Sequence, residues 1–181
     1  MNIILACDKN YGIGVNNSLP PWNLKKDMMK FRKLTEGKYH NAVIMGKNTY
    51  LSFDSPLPNR INIVVSHSLF EKYMTTSTGV VYYNGFIIFK TLSSAFIYAN
   101  NAVSLFDDGE VWIIGGSTLY ESAIECIPII KAYVTLVDKC FLCDTFLKEK
   151  TIKFIETCSW KSEEIYKNDD ISYRFLEFDA Y

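Results

Sequence analysis

Long apolar runs are missing from this chain of 181 residues: none approaches the ~20 residues that cross a bilayer. The run at 3–7 is too short for a signal-peptide core and meets Asp8 at once. A cytoplasmic protein with no membrane partner is expected. Charge of one sign is missing too, since 19 Lys and Arg face 20 Asp and Glu for a net charge of −1. That balance leaves no broad electrostatic footprint for nucleic acid, and the expected partner is small. Cysteine is sparse, and the five residues Cys7, Cys126, Cys140, Cys143 and Cys158 are odd in number and scattered, which excludes a disulfide framework in favour of reduced thiols. Cys140 and Cys143 form a CxxC without a second pair, and the two histidines, His40 and His67, lie far away in sequence. Two packed or half-exposed thiols in a strand-like segment are expected there, and no metal site. A complete GxGxxG is also absent, which excludes the dinucleotide fingerprint of the usual doubly wound sheet.

What is present describes one globular domain, 1–181. Hydrophobic residues make up 49% of the chain, ample for a single core at this length. Near-continuous β-rich runs at 2–7, 42–45, 61–65, 80–83, 111–114 and 132–137 alternate with amphipathic stretches, the pattern of a mostly parallel α/β sheet with helices on both faces. Residues 154–166 and 171–178, separated by the polar turn 167–170, predict a C-terminal antiparallel hairpin. Asn84-Gly85 between apolar β-formers predicts a tight hairpin of its own.

Leu24, Met28, Phe31 and Leu34 fall on one stripe of a helix, with Lys25, Lys26, Lys30 and Lys33 off it and Asn23 as the expected N-cap. Further helices are expected at 47–53, 92–100 and 117–124. The first and last of these follow a strand and a glycine, an arrangement whose free N–H groups receive phosphate.

Between the first strand and the first helix, Gly12 and Gly14 open a long loop that runs to Leu19-Pro20-Pro21-Trp22. A loop beside a strand end can close over a ligand, or can be an ordinary surface loop. Asp27 sits beside the apolar stripe, where it becomes the single carboxylate of a hydrophobic pocket. Desolvation there raises its pKa, and it can hold an amidine-like ring edge by two charge-assisted hydrogen bonds. A solvated surface aspartate is the other reading of the same position.

Taken in order, Gly12-Ile13-Gly14, Leu19-Pro20, Trp22, Asp27, Phe31 and Thr35 resemble the N-terminal signature of dihydrofolate reductases. The family's later motifs follow at compatible spacing: Val43-Ile44-Met45-Gly46-Lys47-Asn48-Thr49-Tyr50, the run from Leu57 to Ser66, the run from Val111 to Tyr120, Thr135, and Asp144-Thr145-Phe146. The resemblance covers essentially the whole chain.

It implies the single-domain dihydrofolate-reductase-like fold and NADPH-dependent reduction of dihydrofolate to tetrahydrofolate, serving thymidylate and one-carbon metabolism, with antifolates as further ligands. Hydride passes to pteridine C6 and N5 is protonated, through a water rather than directly from Asp27. Asp27 binds the N3 and 2-amino edge of the pteridine, Thr135 hydrogen-bonds that carboxylate and Trp22 helps to hold a water. Ile4, Ala6, Met28, Phe31, Leu57 and Ile114 line the substrate site. Arg60 clamps the α-carboxylate of the glutamate tail, its planar fork suiting a carboxylate better than lysine does. Lys30, Arg32 and Lys33 either extend this clamp to polyglutamates or form a solvated helix face.

For NADPH the resemblance implies backbone contacts from Ala6 and Ile13 and pyrophosphate binding at Gly46, Lys47, Asn48 and Thr49 and at Gly116, Ser117, Thr118 and Leu119. It also implies a cis Gly115–Gly116 bond, 2′-phosphate recognition by Lys47, Ser66 and His67, and Tyr120 beside the nicotinamide. The chain is expected as a monomer or as the reductase part of a fusion with thymidylate synthase. A same-fold reductase of a riboflavin precursor and a non-catalytic folate-binding module are the rivals. Asp27 after Trp22, with Arg60, opposes the first, and retention of Asp27, Gly115 and Gly116 opposes the second. Four positions depart from the family pattern: an extra Pro21, Asn59 where glycine is usual, Tyr50 where tryptophan is common, and an inserted Asn84-Gly85.

Overall fold

A computed structural model describes residues 1–74, 79–162, 165–168 and 170–180. In chain order the strands are β1 (Asn2–Cys7), β2 (Gly12–Gly14), β3 (Ala42–Gly46), β4 (Ile61–Val65), β5 (Val81–Tyr83), β6 (Phe86–Phe89), β7 (Val111–Gly115), β8 (Lys131–Val137), β9 (Thr145–Phe146), β10 (Lys161–Ser162), β11 (Tyr166–Asn168) and β12 (Ile171–Asp179). The helices are α1 (Lys25–Glu36), α2 (Lys47–Leu51), α3 (His67–Tyr73), α4 (Leu92–Val103), α5 (Ser117–Cys126) and α6 (Glu149–Thr157).

The main sheet runs β10-β12-β8-β1-β7-β3-β4-β6-β5, with β11 also paired to β12. Its centre, from β8 through β6, is parallel, and both ends turn antiparallel. Alternation across the strands splits the core. Ile3, Leu5, Ile44, Val111 and Ile113 face α4, α5 and α6, whereas Ile4, Val43, Met45, Trp112 and Ile114 face α1 and α3. Burial on both faces is what the near-continuous apolar runs required.

Local chemistry fixes the details. Asn84 and Gly85 take φ of 48° and 81°, the paired left-handed angles of a tight hairpin that closes Tyr83 onto Phe86. The C-terminal hairpin joins β11 to β12, but the expected first arm at 154–166 is wrong in its first part, because 149–157 fold as α6. There the apolar residues Ile152, Phe154 and Ile155 pack on the core, and the Glu121 carboxylate accepts from the Lys150 and Thr151 N–H groups that open the helix. The expected turn at 167–170 is shorter, since Lys167 and Asn168 belong to β11; residue 169 lies outside the described residues. Asn23 is not the N-cap of α1: it stands at φ 40°, and Leu24 occupies the cap position without a side-chain cap bond. Cys140 and Cys143 lie in the loop between β8 and β9, not in a strand, and all five thiols are free.

Candidate active site

The loop before α1 is built rather than loose. Val15 and Ser18 exchange backbone hydrogen bonds around Asn16 and Asn17, both at positive φ, and Gly12 and Gly14 pair with Phe146 and Thr145 of β9. Asp8 organises the root of this loop, a role the sequence reading missed. The carboxylate is 1% exposed and accepts from the backbone N–H of Asn10 at 2.9 Å, Gly12 at 2.7 Å and Phe141 at 2.7 Å. The available signal was an aspartate leaving a buried strand just before a glycine turn. The extra Pro21 is exposed at the apex of a three-residue turn in which Trp22 N–H donates to the Pro20 carbonyl at 2.8 Å. This turn sends Trp22 inward, 2% exposed, edge-on to Phe141 at 5.7 Å.

Asp27, in the first turn of α1, is buried and accepts a 2.6 Å hydrogen bond from the Thr135 hydroxyl of β8. Burial pushes its carboxyl above the usual range, opposed by the Thr135 hydrogen bond and by the Lys30 charge. Ile4, Ile114, Phe31 and Leu57 come together in one apolar cluster, and Trp22 and Ala6 join the adjoining one with Phe175 and Val137. Met28 is 44% exposed. A carboxylate beside flat apolar side chains can fix one polar edge of a ring while those side chains take its faces.

Arg60 is half-buried and aimed by two bonds, from Nη1 to the Thr35 hydroxyl at 2.8 Å and from Nε to the Pro58 carbonyl at 2.9 Å. Burial lowers its pKa, while Glu36 opposes that shift. Asn59 stands at φ 61°, a left-handed position that asparagine tolerates in place of glycine, and its amide donates to Glu36. Asn62 ties Leu57 and Arg60 through their backbones. Tyr50, in the tryptophan position, packs edge-on to Phe86 at 4.9 Å. Arg32 is exposed and pairs with Glu36 at 3.0 Å. Lys30 departs from the solvated face, pairing with Glu177 at 2.6 Å with its side chain 20% exposed.

On the other side of β1, the Gly115–Gly116 bond is cis and α5 begins at Ser117, whose hydroxyl donates to the Phe146 carbonyl at 2.5 Å. A Cβ on Gly115, at φ 142°, would lie 2.6 Å from the Thr49 hydroxyl, and one on Gly46 would lie 3.4 Å from Gly116 N. Gly115 therefore has to lack a side chain for the starts of α2 and α5 to come together, whereas a Cβ on Gly46 would meet α5 only at ordinary contact distance. Ile13 lies on β2. Lys47, Asn48 and Thr118 are exposed, Leu119 is buried, and the buried Tyr120 hydroxyl donates to the Ile4 carbonyl at 2.8 Å. Lys47 Nζ reaches the Ser68 hydroxyl at 3.3 Å, and Ser68 lies 3.3 Å from the Ser66 hydroxyl. Ser66 caps α3, and His67 turns to Glu71 at 3.3 Å. Ser68 was not anticipated from the sequence.

The family model described as dihydrofolate reductase matches residues 1–180. A dihydrofolate reductase of Heliothis virescens is 37% identical over 153 residues, covering 81% of this chain and 77% of the relative. One of Sus scrofa is 32% identical over 186 residues, covering 97% and 95%. A bifunctional dihydrofolate reductase-thymidylate synthase of Paramecium tetraurelia is 31% identical over 166 residues, covering 90% of this chain and 32% of the relative. Motif order, a single α/β domain with its mostly parallel sheet, and a match over nearly the full length converge, and the chain belongs to the dihydrofolate reductase family of oxidoreductases.

Proposed function

We propose that this enzyme uses NADPH to reduce 7,8-dihydrofolate to 5,6,7,8-tetrahydrofolate, a proton reaching N5 and a hydride reaching C6, in support of thymidylate and one-carbon metabolism. The observation that carries this reading is the buried Asp27 carboxylate, which accepts a hydrogen bond from the Thr135 hydroxyl. Asp27 holds the N3 and 2-amino edge of the pterin, and its charge favours the protonated ring. Ile4, Ala6, Met28, Phe31, Leu57 and Ile114 enclose the flat ring system, and Arg60 takes the tail carboxylate with the guanidinium edge that Thr35 and Pro58 leave over. Trp22, packed inward on its turn, orders the water through which N5 is reached.

The cofactor half fits a dinucleotide phosphate by the chemistry of its donors. Neighbouring helix starts at Lys47 and Ser117 offer free N–H groups to a pyrophosphate, and the bare Cα atoms of Gly46, Gly115 and Gly116 let it approach. Asn48, Thr49, Thr118 and Leu119 complete those first turns. Lys47 with the Ser66 and Ser68 hydroxyls and His67 forms the basic, hydroxyl-rich patch that a 2′-phosphate needs, and the backbones of Ala6 and Ile13 hold the carboxamide. Bound there, reduced nicotinamide supplies the hydride. Tyr120 fixes the Ile4 carbonyl beside that ring, so the chain contributes orientation and a shaped field.

We further take the protein to act in the cytoplasm, where its free thiols stay reduced, as a monomer or as the reductase part of a thymidylate synthase fusion. Among the described residues no helix is long and apolar enough to cross a membrane. The test is NADPH oxidation dependent on dihydrofolate, with methotrexate as the control antifolate. Oxidation that ignores dihydrofolate, or that methotrexate leaves untouched, would remove this reading.

A further inference from the structure

Lys30 lies one helical turn beyond Asp27 on α1. Its ammonium pairs with Glu177 at 2.6 Å and stands 4.2 Å from the centre of the Phe175 ring and 5.6 Å from that of Tyr133. Strand register links these groups to Asp27: Phe175 is opposite Thr135, Glu177 is opposite Tyr133, and Thr135 donates to Asp27. Because side chains alternate along a strand, Tyr133, Thr135, Phe175 and Glu177 share the face of the sheet that α1 covers. A lysine ordinarily leaves its flexible tip in water. Here carboxylate and rings hold the tip on the face of the sheet to which the more deeply buried Asp27 carboxylate is also tied.

We propose that Lys30 is a positioning residue for the reduction: its positive charge, oriented by Glu177 and the Phe175 ring, balances the buried Asp27 carboxylate and sets the pH range over which the pterin beside it is protonated. This rests on Asp27 being the carboxylate of the site. Burial raises the Asp27 carboxyl, and Thr135 and then Lys30 pull it back. The other titratable groups that face it are Tyr120 on α5 and Tyr173 on β12, both raised chiefly by burial, and both therefore neutral near neutral pH. Tyr133 on β8 is raised by burial and then by Glu177. Lys26, on the same helix, is drawn away over the Tyr166 ring at 4.0 Å.

A proton shared between the Asp27 carboxylate and the pterin belongs to the pair, and it is held more tightly when a neighbouring positive charge is removed. It is held less tightly when a neighbouring negative charge is removed. The two halves of the ion pair therefore carry opposite signs.

The experiment is single-turnover hydride transfer from NADPH to dihydrofolate against pH, each profile normalised to its own acid plateau. Lys30→Met moves the alkaline limb to higher pH, so that the normalised rate on the native limb rises several-fold. Glu177→Gln moves it to lower pH with a fall of similar size, and Lys30→Arg leaves it in the native position. A role in merely bracing α1 scales rates at every pH alike, so unmoved midpoints, or midpoints that move the same way in both charge-removing variants, overturn the inference. Should Lys30→Met not fold, the downward move of Glu177→Gln against an unmoved Lys30→Arg decides. Asp27→Asn, run alongside, separates the two levels. A near-native profile there removes Asp27 as the site's carboxylate and the inference with it, whereas an impaired Asp27→Asn with an unmoved Lys30→Met midpoint removes Lys30 alone.

Discussion

Thr135 and Asp27 stand 108 residues apart in the chain and 2.6 Å apart in space, the hydroxyl of a sheet strand donating to the carboxylate of a helix. The bond opposes the burial that raises the Asp27 carboxyl, so its worth depends on the carboxylate being ionised. A carboxyl raised above its unfolded value stabilises the fold fully below the unfolded pKa, and that contribution is lost as pH rises through the folded pKa. Thr135→Val deletes the donor and raises the folded pKa further. It is expected to cost about 1.5 to 3 kcal/mol at neutral pH, the range for a hydrogen bond to a charged group, and distinctly less in acid where Asp27 is protonated. Urea unfolding of both proteins at neutral and acid pH measures this, and an equal cost at the two values would show that the bond does not sense the charge.

The elements of this site were unequally legible in the sequence. Near-continuous apolar runs and the glycines at 46, 115 and 116 are local signals, so the sheet centre and the two strand-glycine-helix turns could be read directly. Lys30 was not legible, because helical spacing places it off the apolar stripe and only the distant Phe175 and Glu177 turn that flank into a semi-buried one. Asp8 was hidden for the same reason, since one of its three backbone donors, Phe141, arrives from the far side of β8. Residues 154–157, the end of α6, read as the start of a strand because the apolar residues of this helix are sparse and the Glu121 carboxylate that opens it comes from α5.

Arg60 owes its aim to Thr35 and Pro58, which fix the guanidinium plane without neutralising it. Arg60→Leu is expected to raise KM for dihydrofolate tenfold or more, from the loss of about 1.5 to 3 kcal/mol in a charge-assisted bond, and to leave a pterin without the glutamate tail nearly unaffected. Steady-state kinetics with both substrates decide between a clamp and a structural arginine; parallel losses would mark it as structural.

Lys47 meets Ser68 and, through it, Ser66, the patch proposed above for the 2′-phosphate. Lys47→Ala is expected to weaken NADPH binding about three- to tenfold, less than the charge-assisted range of about 1.5 to 3 kcal/mol because the side chain is exposed to solvent, with NADH unchanged. Fluorescence titration with both nucleotides reads the difference. Equal losses would move phosphate recognition elsewhere.

Gly12 leaves no room for a side chain, since a Cβ there would lie 2.5 Å from the Cys143 sulfur, 2.8 Å from its Cβ and 3.1 Å from an Asp8 carboxylate oxygen. The contact joins the root of the loop before α1 to the loop between β8 and β9, which Asp8 also bridges through Gly12 and Phe141. Gly12→Ala must therefore push the two loops apart, at the roughly 1 to 3 kcal/mol typical of overpacking, and turnover falls with it because Trp22 and Ile13 ride on the displaced segment. Truncating the obstacle in Cys143→Gly opens the space that the alanine methyl needs. The pair should couple, with the double variant recovering about 0.5 to 3 kcal/mol relative to the sum of the singles. Urea unfolding of the four proteins gives that coupling and turnover gives its functional counterpart. Strict additivity in both would mean that the strain of Gly12→Ala is relieved somewhere other than Cys143.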